Sequence, residues 1–140
     1  MPLRDTKVKV DEVGTFSVTI EVGDPQGQRY QATEALVDTG ATYSVVPGSF
    51  LRRQGVVPHT VAPFQLADGR QIDREVGHTW VRVDGREVIT LVVFGDEGLE
   101  PLLGAYTLEG LLLAPDPVGR RLIPVPGRLM AAMERRLRWV

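Results

Sequence analysis

ALVDTGATYSVVP, residues 35–47, sets one acid between two apolar runs. Ala35, Leu36 and Val37 read as the end of a strand that delivers Asp38 into a turn of small residues, and Val45 and Val46 form the apolar pair beyond it. Gly40 lets the backbone approach whatever Asp38 faces, Thr39 brings a hydroxyl that can tie the loop down, and Ala41 leaves room beside the carboxylate. Such a loop holds a carboxylate in place and keeps it reachable. A lone Asp-Thr-Gly also closes many ordinary strands, because Asp and Gly both favour turns, so the surrounding chain has to decide its meaning.

Working outward, residues 15–22 alternate, with Phe16, Val18 and Ile20 against Ser17, Thr19 and Glu21, the period of a half-buried strand. Asp24, Pro25 and Gly27 supply turn chemistry, and residues 29–37 return as a second strand that ends at the acid. Pro47 and Gly48 precede a segment, 50–54, with room for one or two helical turns closed by Gly55. Segments 61–66 and 71–83 flank Asp68 and Gly69, and Asp84 and Gly85 lead into 87–94, which predicts three successive antiparallel strands. After the loop 95–101, Leu102, Leu103 and Gly104 open a short helix over 105–111. A last hairpin is expected with arms 112–114 and 121–125, turning through Asp116, Pro117 and Gly119. Residues 128–139 read as an amphipathic helix with Leu129, Met133 and Leu137 on one face.

With 140 residues the chain fits one folded domain, and 43% hydrophobic with 24% charged residues is far from a disordered composition. Its 15 Gly and 10 Pro favour short strands and turns over long helices. The absence of Cys removes disulfides, thiolate zinc sites and cysteine nucleophiles. A net charge of -2 argues against a broad nucleic-acid footprint, so Arg120, Arg121, Arg128, Arg135, Arg136 and Arg138 read as a solvated face. No apolar run reaches the roughly 18–20 residues of a membrane span, and MPLRDTKVKV has no signal-peptide core, so a cytoplasmic protein with no membrane partner is expected. His59 and His78 lack acidic neighbours and cysteines at metal-ligand spacing and read as structural or surface histidines; no metal is expected.

Leu36, Val37, Asp38, Thr39, Gly40, Ala41 and Thr42 resemble the aspartic-protease hallmark, Asp-Thr/Ser-Gly between two apolar residues and a small residue followed by Ser or Thr. About sixty-five residues further on, Leu102, Leu103 and Gly104 are similar to that family's second element, two apolar residues and a Gly before a short helix. Between them LADGRQI, residues 66–72, lies where such proteases carry the flap that closes over substrate. Order and spacing resemble the retroviral type (retropepsin-like), in a single-domain, bacterial-type member.

That resemblance implies a mostly-β fold, a closed β-barrel forming one half of an acid protease, with one or two short helices. Residues 1–126 would form this domain and 127–140 a C-terminal helical extension. It also implies a homodimer acting on a peptide or protein substrate, with Asp38 of each chain forming a dyad that activates water, and with no cofactor. Thr39 would bond across the dimer axis, Gly40 would accept a substrate N–H, and Ala41 and Thr42 would support the loop. Ala67, Asp68, Gly69 and Arg70 would form the flap, Leu99 and Leu102 a side-chain pocket, and Leu103 and Gly104 the strand crossing behind the acid. Three features depart from the retroviral pattern. Asp68 and Arg70 replace flap glycines and isoleucines, Thr42 stands where an acid is usual, and the segment beyond Pro126 has no counterpart. Two other readings compete: a catalytically silent homodimeric module that binds a peptide or partner in the same cleft, and nucleic-acid binding through the arginine-rich tail.

Overall fold

Alternation in the sequence becomes strand wherever a partner exists to receive it. A computed structural model describes residues 15–129. Strand β1 (Ser17–Gly23) buries Ile20 and Val22 and exposes Ser17 and Thr19, and pairs antiparallel along its whole length with β2 (Tyr30–Val37). The turn between them is built on Asp24, whose Oδ1 accepts the backbone N–H groups of Gln28 (2.7 Å) and Arg29 (2.9 Å). Next come β3 (Ser44–Pro47) and helix α1 (Gly48–Arg53). Strands β4 (Thr60–Gln65), β5 (Gln71–Val83) and β6 (Arg86–Gly95) then form the expected antiparallel meander. The two-residue β7 (Leu102–Leu103) leads into helix α2 (Ala105–Leu111), and β8 (Leu113–Asp116) pairs with β9 (Arg121–Pro124) as a separate ribbon.

The main sheet runs β1-β2-β7-β3-β6-β5-β4, and β1 also pairs with β5. That extra pairing closes strands β1 to β3 and β5 to β7 into a ring and leaves β4 outside it. The closure rests on two residue pairs, Glu21↔Arg82 and Val22↔Val81, so the expected barrel is a ring with one narrow seam. Arg82 clasps that seam. Its guanidinium lies 3.8 Å from the Tyr30 ring centre, bonds Glu21 at 2.9 Å and approaches Glu87 at 3.6 Å, while the Tyr30 hydroxyl donates to Glu87. Inside the ring, Ile20, Val22, Val46, Leu51, Val81, Val92 and Leu103 are almost wholly excluded from water, and their burial supplies the main stabilising term.

The mostly-β class and the two short helices match expectation; several boundaries do not. Strand β3 was not foreseen as a strand, because four residues are too few to show a period and both its partners, β6 and β7, come later in the chain. Helix α1 starts at Gly48, two positions ahead of the expected 50. Leu112 is not a strand residue: it adopts a left-handed conformation (φ 57°) that ends α2, and the last hairpin begins at Leu113. Of the helix expected over 128–139, Arg128 and Leu129 have no regular structure and the rest lies outside the described residues, as do residues 1–14 of the expected domain.

Asp24 yields a test. Hydrogen bonds from the backbone of Arg29 and then Gln28 outweigh desolvation and hold its carboxyl below the usual carboxylate value. A lowered folded value means that ionised Asp24 contributes stability in full above its unfolded value, near 3.9, and loses it as pH falls through the folded value. Asp24→Ala is therefore less stable than wild type in urea titrations at neutral pH, and the gap narrows below about pH 4.

Candidate active site

The acid stands one residue beyond the end of β2, whose last residues are held by β7. Strand β7 lies parallel to β2, with Leu36 opposite Leu102 and Val37 opposite Leu103, and on its other side Leu102 pairs antiparallel with Val45 of β3. The segment before the acid and the segment after it thus share one short wedge. The Leu36 N–H donates to Pro101 O (2.8 Å) and the Asp38 N–H to Leu103 O (3.0 Å). The loop then curls back on itself, with the Gly40 N–H bonding Asp38 Oδ1 (2.9 Å) and the Ala41 N–H bonding Asp38 O (3.2 Å). One carboxylate oxygen is therefore oriented by its own loop, and the side chain stays part-exposed.

Helix α2 fixes the far end of this loop. The first N–H groups of a helix have no partner inside it, and here Ala105 donates to Ala41 O and Tyr106 to Thr42 O, both at 2.9 Å. Beneath them runs a buried hydroxyl chain. The Gly104 N–H donates to Ser44 Oγ (3.0 Å), Ser44 Oγ meets Thr107 Oγ1 (2.7 Å), and Thr107 Oγ1 meets Thr90 Oγ1 (2.8 Å). Gly104 has no substitute there. A Cβ on it would lie 2.6 Å from the carbonyl carbon and oxygen of Tyr43 and 2.9 Å from Ala41 O, backbone atoms that cannot swing aside. The Leu-Leu-Gly element is thus two strand residues that seat the acid and one residue thin enough for the acid loop to pass over.

A cleft of about 640 Å³ opens beside the loop, lined by Gly40, Ala41 and Thr42 on one side and by the stems of the β4/β5 hairpin on the other. Leu99 and Leu102 both line it, as do Val45 and Val93, so its surface is mainly apolar. Asp38 stands beside the cleft and is not among the residues lining it. Leu103 and Gly104 are buried behind it, and Thr39 is exposed at the loop surface.

Ala67, Asp68, Gly69 and Arg70 form the exposed hairpin tip, which does not line the cleft. The tip is self-contained: Gly69 takes φ 91°, and the Asp68 carboxylate accepts the Arg70 N–H (3.0 Å) and Nε–H (2.8 Å), contacts that hold its carboxyl below the usual value. Leu66 and Ile72, the two ends of the LADGRQI stretch, line the cleft wall together with residues the sequence did not single out: Tyr43, Phe64, Arg74 and Asp96. Tyr43 meets Phe64 edge-on (6.0 Å between centres, 80°) and Tyr106 likewise (5.7 Å, 89°), tying the acid loop to the hairpin. Arg74 pairs with Asp96 at 3.1 Å across the cleft margin. Phe64 and Ile72 are direct cross-strand partners, so the Asp68-Gly69 turn and period-2 counting could have found them. Arg74 with Asp96 needs the folded sheet.

Among the described residues no group of three or more His, Asp or Glu could hold a metal ion, and no helix is long and apolar enough to cross a membrane. A mostly-β ring with an acid loop seated on a Leu-Leu-Gly wedge is the retropepsin-like class of fold. Residues 26–110, more than half of the chain, match the family described as "gag-polyprotein putative aspartyl protease", and the chain belongs to that family. Among solved structures, the simian foamy virus (mac) protease is similar over 72% of this chain and 100% of its own, with 23% identity and a TM-score of 0.50. The EIAV protease complexed with the inhibitor HBY-793 is similar over 77% of this chain and 91% of its own (18% identity, TM-score 0.49). A retropepsin-like aspartic protease from Rickettsia conorii covers 72% and 93% respectively (20% identity, TM-score 0.41). No curated protein sequence matches the chain.

The close approach at Gly104 predicts that Gly104→Ala destabilises the fold by about 1–3 kcal/mol or more, as overpacking against immovable atoms does. Denaturant unfolding measures it, and a variant as stable as wild type would show that the Tyr43 backbone yields.

Proposed function

We propose that the chain is an aspartic endopeptidase that works as a homodimer, its dyad formed by Asp38 from each of two chains. The observation that carries this reading is the seating of Asp38: its backbone is fixed by Leu103, one carboxylate oxygen is oriented by the Gly40 N–H, and the loop borders an apolar cleft. Among the described residues the one carboxylate lining that cleft, Asp96, is paired with Arg74. A second reactive acid therefore comes from another copy of the same loop.

Two carboxylates brought together cannot both ionise, so the pair retains one proton over a broad pH range. The charged Asp38 takes a proton from a water held between the two, and the water oxygen attacks the peptide carbonyl carbon. The protonated mate donates to the carbonyl oxygen as the tetrahedral intermediate forms. On collapse the C–N bond breaks, Asp38 passes the proton it took from water to the leaving nitrogen, and one hydroxyl of the diol intermediate returns its proton to the mate, so the dyad again holds one proton. Thr39 ties the two loops across the axis, and Gly40 O accepts a substrate N–H.

An extended peptide fits between the loop and the hairpin stems. Main-chain hydrogen bonds to strand-like backbone supply affinity, and pockets for alternate side chains supply selectivity. Leu99, Leu102, Phe64 and Ile72 line the same cleft, so a large apolar side chain is the favoured occupant beside the scissile bond.

Digestion of a peptide library at mildly acidic pH tests this. Asp38→Asn lowers cleavage by at least about a hundredfold, the scale of lost general acid–base catalysis, and equal cleavage by both proteins would reject the assignment in favour of a silent binding module. Because the dyad is shared, excess Asp38→Asn mixed with wild type suppresses activity, and specific activity rises with protein concentration. A protein that sediments strictly as a monomer while cleaving would contradict the shared dyad.

A further inference from the structure

His59 and His78 are far apart in sequence and neighbours in space. Their ring centres are 5.3 Å apart and the rings are inclined by 44°, so they are not stacked face to face. His78 lies on the outer face of β5, and His59 immediately precedes β4, its N–H donating to Val76 O at 2.9 Å. Gly77 makes the approach possible: a Cβ there would stand 3.0 Å from Val57 O and 3.1 Å from a Val56 methyl, so its missing side chain lets the segment leading to His59 lie flat on β5. Both residues are exposed. Among the described residues the two rings meet each other, and neither imidazole makes a hydrogen bond or an ion pair.

We propose that His59 and His78 form a two-imidazole site for a borderline divalent transition-metal ion, of which zinc is the type. Imidazole is a preferred ligand of such ions, at about 2.0–2.1 Å from nitrogen to metal, and a further ~1.1 Å to the ring centre puts each centre about 3.2 Å from the ion. Two rings meeting one ion at a tetrahedral angle then have centres about 5.2 Å apart, which is the spacing observed. With no cluster of three ligands among the described residues, water completes the shell, and the ion exchanges freely with solvent instead of being locked in as a structural zinc is.

The position gives the site a consequence. His59 and His78 sit at the root of the β4/β5 hairpin, at the opposite end from the tip 67–70. A bridging ion cross-links the segment entering β4 to β5 and stiffens the root of the hairpin that walls the cleft. The site stands on the two histidines alone and does not depend on the chain being a peptidase.

Calorimetric titration of the tag-free full chain with zinc chloride, in a buffer that does not chelate, tests it. One ion per chain is expected at micromolar concentration, with a rise in melting temperature. His59→Gln and His78→Gln, whose folds are checked by circular dichroism, each weaken binding by at least about tenfold, a loss of about 1.4 kcal/mol. Asp38→Asn leaves it unchanged, which separates this site from the proposed dyad. Magnesium, which prefers oxygen ligands, does not compete. Zinc binding of equal strength in wild type and both histidine variants, binding abolished by Asp38→Asn, or no binding at millimolar zinc would each overturn the proposal.

Discussion

Two main-chain hydrogen bonds decide where the acid stands: Leu36 to Pro101 and Asp38 to Leu103. Each joins residues more than sixty positions apart, one at Leu103 in a strand only two residues long and the other at Pro101 just before it. Their register matters more than their number. In a strand, a slip of one residue turns every side chain to the opposite face, which would carry Asp38 from the cleft side into the packing around Val37 and Leu103. The register is pinned from below by Leu103, which is fully buried, and from above by Gly104, where the acid loop passes too closely for any side chain.

The cleft's outer wall is held by weaker means. The loop after β6 is tied by Asp96 to Arg74 on β5 and by Glu97 to the Ser49 N–H and hydroxyl at the start of α1. Arg52, in turn, pairs with Glu75. These are exposed contacts, and exposed ion pairs contribute roughly 0–1 kcal/mol each, far less than the buried wedge on the other side. The two leucines of the pocket therefore differ in kind. Leu102 belongs to β7 and is as fixed as the acid, whereas Leu99 is exposed and rides on a loop held by charge. The Leu99 side of the cleft is therefore the more loosely held of the two.

Much of this was legible in the sequence because the decisive features are local. An acid in a small-residue turn after an apolar strand, two Asp-Gly turns at hairpin spacing, and Leu-Leu-Gly ahead of a short helix each announce their own conformation. What stayed hidden was non-local. The strand after the acid is four residues long and draws its identity from β6 and β7. The wall residues Tyr43, Arg74 and Asp96 look like any aromatic or charged surface residue until the sheet brings them to one cleft. The two histidines read as separate for the same reason: their nearness depends on a missing side chain at Gly77, which linear spacing does not reveal. Leu112 reads as the start of the last hairpin because it opens the apolar run 112–114, whereas the end of α2 imposes a left-handed turn on it.

Beneath the acid loop, Ser44, Thr107 and Thr90 form a dry polar column in which every member is a hydroxyl. Hydroxyls neither gain nor lose charge between strong acid and mild alkali. The floor beneath the acid loop is therefore electrically mute, and across that range the groups that hold the loop up keep the same charge and the same bonding capacity.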